Sequence, residues 1–175
     1  MVDANQNNSS EVYNFWSRRT AQQVARELDL LNVYFLEEPL PRNDVEGLAK
    51  IVASVDMFIA GGEHTPTVND FKLHPLAGSY DILQPDITLG GNLGIIGLRE
   101  VSSVADFFGQ LVIPHVTGNG NFFIMLAATL QAMATVGNCP MIDTDGAVEV
   151  PNKPGIGIEI DEDQLALEVN LAWEI

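Results

Sequence analysis

Short apolar runs alternate with longer amphipathic stretches along the chain. Val33–Leu36, Met57–Ala60, Tyr80–Leu83 and Leu111–Ile113 are compact runs bounded by polar or turn-forming residues. Nearly unbroken hydrophobicity of that length is the pattern of a parallel strand buried on both faces. Met141–Ile142 is a shorter candidate of the same kind. Between the runs lie helical patterns. Ser9 and Ser10 are predicted to cap a helix in which Val12, Phe15, Val24, Ala25 and Leu28 fall at helical spacing. Asn43 is predicted to cap a helix over 44–55, with Val45, Leu48, Val52 and Val55 on one face. The segment 93–108 repeats Leu93, Ile96, Val101, Val104, Ala105 and Phe108 in the same way. A last helix over 121–136 carries no charge and is apolar nearly all round, which predicts burial or cover by another subunit.

Alternating strand and helix signals imply a parallel sheet with helices outside it. A doubly wound sheet and a (β/α)₈ barrel both satisfy that pattern. The polar residues that end the apolar runs bear on the choice. Asp3 follows Val2, Glu37 follows Leu36, and Glu63 follows Ala60-Gly61-Gly62. Asp86 follows Pro85, His115 follows Pro114, and Asp143 follows Ile142. Successive members are about one strand–helix unit apart. In a barrel all of them would reach the same mouth, where active sites of that architecture sit.

Carboxylates gathered at one mouth repel one another unless a positive charge stands among them. Asp3, Glu37 and Glu63 are hard oxygen donors and suit Mg²⁺ better than zinc. His115 is then a candidate general acid or base. Asp86, one strand earlier, is placed to hold the far ring nitrogen and favour the imidazolium. Taken singly, each has an ordinary structural explanation. Glu38 reads as a structural or solvent-facing acid, His74 as a surface residue at a helix end, and His64 as either a loop residue or a substrate contact.

Bulk composition excludes several classes of function. With 46% hydrophobic and 18% charged residues the 175-residue chain can bury a core. A net charge of −16 argues against nucleic acid or an anionic membrane as partner. The apolar stretch 122–134 is too short and too interrupted to span a bilayer. The opening residues MVDANQNNSS lack the basic and apolar regions of a secretory signal. A lone cysteine, Cys139, gives no internal disulfide, so the expected compartment is the cytoplasm.

The stretches VDAN (Val2–Asn5), FLEEPL (Phe35–Leu40), AGGEH (Ala60–His64), ILQPDITLGGNLG (Ile82–Gly94), IPHV (Ile113–Val116), NCPMID (Asn138–Asp143) and PGIGIEID (Pro154–Asp161) resemble, in order, the enolase superfamily. The likeness is to its mandelate racemase and muconate lactonizing enzyme branch. It implies a modified TIM barrel, of which residues 1–175 would supply about strands 3 to 8. It implies Mg²⁺ held by Asp3, Glu37 and Glu63, with Asp86 and His115 as the catalytic dyad. Asn5 stands where the family often has a polar partner near the metal, and Asp143 where a glutamate commonly hydrogen-bonds the substrate carboxylate; with His64 these are the candidate substrate-binding residues. The implied reaction is abstraction of the proton α to a carboxylate, on an acid sugar or 2-hydroxy acid. An acid-sugar dehydratase is expected first, with a racemase or epimerase as the alternative. A homo-oligomer is expected for the full-length form.

The resemblance also implies parts that the sequence does not contain. A lysine-bearing strand normally precedes VDAN, and an N-terminal capping domain closes the site. Neither Lys50, Lys72 nor Lys153 stands at an expected strand end. A barrel takes about 250 residues. A truncated segment is therefore expected, with weak or no turnover alone. A non-catalytic remnant and a small α/β binding protein with coincidental acids are the competing readings.

Overall fold

The computed structural model describes residues 1–6, 15–116, 122–142, 147–159 and 161–162. The chain alternates β1 (Val2–Asp3), α1 (Arg18–Leu30), β2 (Phe35–Glu37), α2 (Val45–Val52) and β3 (Phe58–Gly61). It continues through α3 (Val68–Phe71), α4 (Leu73–Ala77), β4 (Ile82–Leu83), α5 (Gly94–Phe107), β5 (Leu111–Val112) and α6 (Phe122–Met133). The five strands lie in sequence order and every neighbouring pair is parallel. A doubly wound sheet reverses its strand order part-way. This sheet does not, so it is a segment of a (β/α) barrel.

Strand alternation gives the sheet two different faces. Leu36, Ile59, Leu83 and Val112 point to the helices and join the main core with Ala21, Ala25, Leu48, Ile51, Leu98 and Val101. Phe35, Ala60, Ile82 and Ile113 point the other way and form a second, smaller apolar cluster. That second face is the barrel interior, and each of its strands ends in polar chemistry.

Several boundaries differ from expectation. Helix α1 starts at Arg18, because Ser17 is extended and its side chain accepts from the Thr20 amide. Phe15 therefore precedes the helix, and Ser9 and Ser10 lie outside the described residues. Asp44 caps α2 rather than Asn43, accepting from the Gly47 amide. It also receives a two-pronged bond from Arg18, at 2.8 Å to Nε and 2.5 Å to Nη2, which ties α1 to α2. Met141–Ile142 is not a strand, having no ladder partner among the described residues. Helices α3 and α4 were not expected. Each is too short to show a repeating face, and Pro75 inside α4 reads locally as a breaker.

His74 departs most from its expected place. It is 4% exposed, packed on the Tyr80 ring with centroids 4.5 Å apart, and its Nδ1 lies 2.9 Å from the Ser79 hydroxyl. Burial, helped by Arg42, lowers its pKa to about 4. In the unfolded chain the ring titrates near 6.5. As pH falls from 6.5 towards 4 the unfolded chain takes up a proton that the folded chain refuses, and stability drops. The expected loss is on the order of 3 kcal/mol. Urea unfolding of His74→Leu should be less steep in pH across that window than wild type. Parallel slopes would remove His74 as the cause.

Candidate functional site

Asp3 and Glu37 are register partners at the ends of β1 and β2. Asp3 is exposed, whereas Glu37 is 2% exposed on the interior face. Asn5, at positive φ, folds back so that its amide donates to Asp3 Oδ1 at 2.8 Å. The next strand, β3, delivers Glu63 through the Gly61–Gly62 bend, and Glu63 is 8% exposed. Gly90 and Gly91 let the loop after β4 pack on the His64–Pro66 backbone. A Cβ at Gly91 would sit 1.9 Å from the Pro66 oxygen.

Four groups of alternating character meet across β3, β4 and β5. His64 Nε2 lies 3.0 Å from Glu63 Oε1, and His115 Nε2 lies 3.2 Å from Glu63 Oε2. His115 Nδ1 lies 2.8 Å from Asp86 Oδ2. Asp86 and His115 also form an isolated parallel bridge, so their backbones extend the β4–β5 ladder into the mouth. Asp86 is fully buried, and its Oδ1 accepts from the amides of Thr88 and Leu89, both at 2.7 Å.

The electrostatics follow from that packing. Burial works against a charged Asp86. The His115 hydrogen bond and the Leu89 and Thr88 amides outweigh it and hold the carboxyl below its ordinary range. Asp86 is therefore an acceptor, and His115 Nδ1 carries the proton between them. Burial likewise opposes the His115 imidazolium. The bond to Asp86 and the nearby Glu63, Asp86 and Glu37 carboxylates more than compensate, raising its pKa to about 9. Glu63 goes the opposite way. Burial pushes its carboxyl up, Asp3 and Asp86 add to the push, and the two histidines only partly offset it.

Burial, with Asp3 and Asp86 nearby, pushes the Glu63 carboxyl up, and a hard divalent cation among these acidic oxygens would relieve that push. In that respect Asp3, Glu37 and Glu63 fit Mg²⁺. Their side chains are not drawn around one point, however. Glu63 turns both oxygens to histidines, and no three acidic, histidine or cysteine side chains among the described residues are gathered closely enough to enclose a metal.

The structure thus brings Glu63, His64, Asp86 and His115 into one contact chain, with Asp3, Asn5 and Glu37 on the adjoining strands. Asp143 lies outside the described residues. Glu38 is buried, at 1% exposure, not solvent-facing. It sits on the helix side, where its charge helps push the enclosed Tyr80 phenol well above its ordinary range. Lys50, Lys72 and Lys153 pair with Glu46, Asn69 and Glu159, away from the mouth. Sequence reasoning missed Gln84, fully buried two residues before Asp86 on the same face. The alternation Ile82, Gln84, Asp86 was the available signal. It also missed the turn after Asp86, which a threonine two residues beyond an aspartate could have suggested.

Comparisons with known proteins bear on the whole of this arrangement. A family model described as enolase C-terminal domain-like matches residues 1–144. The 3,6-anhydro-alpha-L-galactonate cycloisomerase of Streptomyces coelicolor is 30% identical, over 94% of this chain and 45% of its own length. The L-talarate/galactarate dehydratase of Salmonella typhimurium is 27% identical, over 93% and 40% respectively. A crystal structure of a racemase from Streptomyces coelicolor with bound magnesium superimposes with a TM-score of 0.73 at 30% identity, covering 95% of this chain and 46% of that one. The chain spans less than half the length of these relatives. No helix among the described residues is long and apolar enough to cross a membrane.

Proposed function

The chain belongs to the enolase C-terminal domain-like family, and on that premise we propose that it handles metal and protons in an acid-sugar dehydratase. The reaction removes the proton α to a carboxylate, which a base other than the protonated His115 must accept, and expels a β-hydroxyl as water. The observation that carries this reading is the buried Asp86–His115 pair set against Glu63 at the mouth.

Asp3, Glu37 and Glu63 would hold a magnesium ion, whose positive charge stabilises negative charge developing on the substrate carboxylate. The chain's own residues supply the rest. In the metal-free protein the bond to Asp86 and the surrounding carboxylates favour the His115 imidazolium against burial, and Asp86 fixes Nδ1–H as the inner hydrogen bond. The transferable proton is therefore the one on Nε2. As the β-carbon–oxygen bond breaks, that proton passes to the leaving oxygen and water departs. Asp86 stays ionised throughout and stabilises the imidazolium before transfer. His64, Asn5 and Asp143 are assigned to polar groups of the substrate. The substrate class is a small acid sugar such as galactarate.

The test is incubation of the protein with Mg²⁺ and galactarate in D₂O. Formation of a 2-keto-3-deoxy acid is expected, weak from this chain alone, with His115→Asn slower still by about 10²–10⁴-fold. Deuterium entering the α-position without loss of water would make the protein a racemase or epimerase instead. The absence of both product and exchange would remove the catalytic reading.

A further inference from the structure

We propose that Gln84 is a positioning residue for the cation site, its side-chain amide orienting the Glu37 carboxylate when the cation is bound. The inference rests on the cation-site reading above. Gln84 is fully buried, yet neither its Nε2 nor its Oε1 has a hydrogen-bond partner among the described residues. An unsatisfied buried amide costs about 1–3 kcal/mol, and its persistence calls for a reason.

Its surroundings point to one. Gln84 shares the interior face with Ile82 below it and Asp86 above it. The carboxylates of Asp86 and Glu63 already meet other groups at both oxygens. Glu37 stands two strands away across β3, about 9.6 Å in the hydrogen-bonding direction, with Gln84 two residues further along than the level of Glu37. Its register partner on β3 is Ala60, whose methyl leaves the space above the strand open to longer side chains from either neighbour. On β4 the residue level with Ala60 is Ile82, and Gln84 stands two residues nearer the mouth, level with Gly62, which has no side chain to separate the inward-reaching Gln84 and Glu37. A carboxylate oxygen accepts more than one hydrogen bond, so Glu37 can take the Gln84 amide without giving up another contact. Partners that orient a metal-ligating carboxylate typically change cation affinity by 10–100-fold when removed.

The experiment titrates Mg²⁺ into wild type and Gln84→Met by calorimetry, with thermal unfolding of both metal-free proteins alongside. Methionine keeps the length and removes the amide. The metal-free Tm should stay level or rise, because the variant discards an unsatisfied polar group. The Mg²⁺ dissociation constant should increase at least about tenfold. Equal Mg²⁺ affinity in the two proteins overturns the inference. So does a metal-free Tm well below wild type, which would mark the amide as a structural part. If wild type shows no Mg²⁺ response, the cation-site reading fails and this inference fails with it. A second measurement needs no folded variant. In ¹⁵N-labelled wild type the Gln84 side-chain amide resonances should shift as Mg²⁺ is added, and resonances that stay in place overturn the proposal.

Discussion

Replacing Glu37 or Glu63 by Gln is expected to abolish the rise in Tm that Mg²⁺ produces in the wild-type protein. A ligand that binds only the folded chain adds about 2.7 kcal/mol at one hundred times its dissociation constant. Glutamine keeps the size of the side chain but removes the charge that a hard cation requires. The two sites should respond differently without metal. Glu63 is already pushed towards its neutral form by burial and by Asp3 and Asp86, so a neutral amide there replaces a charge the fold disfavours. Its loss should therefore cost little metal-free stability while removing the Mg²⁺ effect. Glu46→Gln is the matched control, since Glu46 is exposed on α2 and pairs with Arg18 and Lys50. Calorimetric scans with Mg²⁺ and with chelator decide the matter. A full Mg²⁺ response surviving in both Glu37→Gln and Glu63→Gln would sink the ligand assignment.

Asp86→Asn is expected to lower the rate by about 10²–10⁴-fold while leaving the fold in place. The asparagine carbonyl can still accept from the Thr88 and Leu89 amides, so the turn after β4 should survive. What disappears is the negative charge facing His115 Nδ1. In the metal-free protein the His115 pKa should then fall from about 9 towards its ordinary value. The stability consequence has a definite sign. A histidine whose folded pKa is raised contributes fully below the unfolded value near 6.5, and that contribution fades as pH rises towards 9. Wild type should therefore lose stability over that interval, and Asp86→Asn should lose less. NMR titration of the His115 ring, with chelator present, reads the pKa directly. An unchanged His115 pKa in Asp86→Asn would show that Asp86 is not what holds the proton.

Much of the site was legible before any fold was known, because its chemistry is written at strand ends. Apolar runs ending in Glu37, Glu63, Asp86 and His115 recur about once per strand–helix unit. Parallel connections return each strand end to the same edge. The resemblance of VDAN, FLEEPL and IPHV then assigned roles to those groups. Helix starts were less legible. Serines are frequent near the N-terminus, and the extended backbone at Ser17 is what selects it as a cap. The short α3 and α4 were invisible to periodicity, which needs several turns to declare a face. With them went the burial of His74, whose environment is built by Tyr80 and Ser79 from the following strand region.

The sequence by itself determined the main strands and longer helices, the parallel connectivity and the polar groups that end most of the apolar runs. Those follow from local periodicity and from the alternation of side chains along a strand, and both are properties of neighbouring residues. Only the tertiary structure decided which groups touch. It turned Glu63 to two histidines, enclosed Asp86 with the Thr88 and Leu89 amides, buried Glu38 on the helix side and left the Gln84 amide without a hydrogen bond to any described residue. Each of those outcomes depends on side chains brought together from different strands and loops. A contact of 2.8 Å between His115 Nδ1 and the buried Asp86 fixes the inner hydrogen bond and leaves Nε2 as the end that can pass a proton. No spacing along the chain encodes that distance.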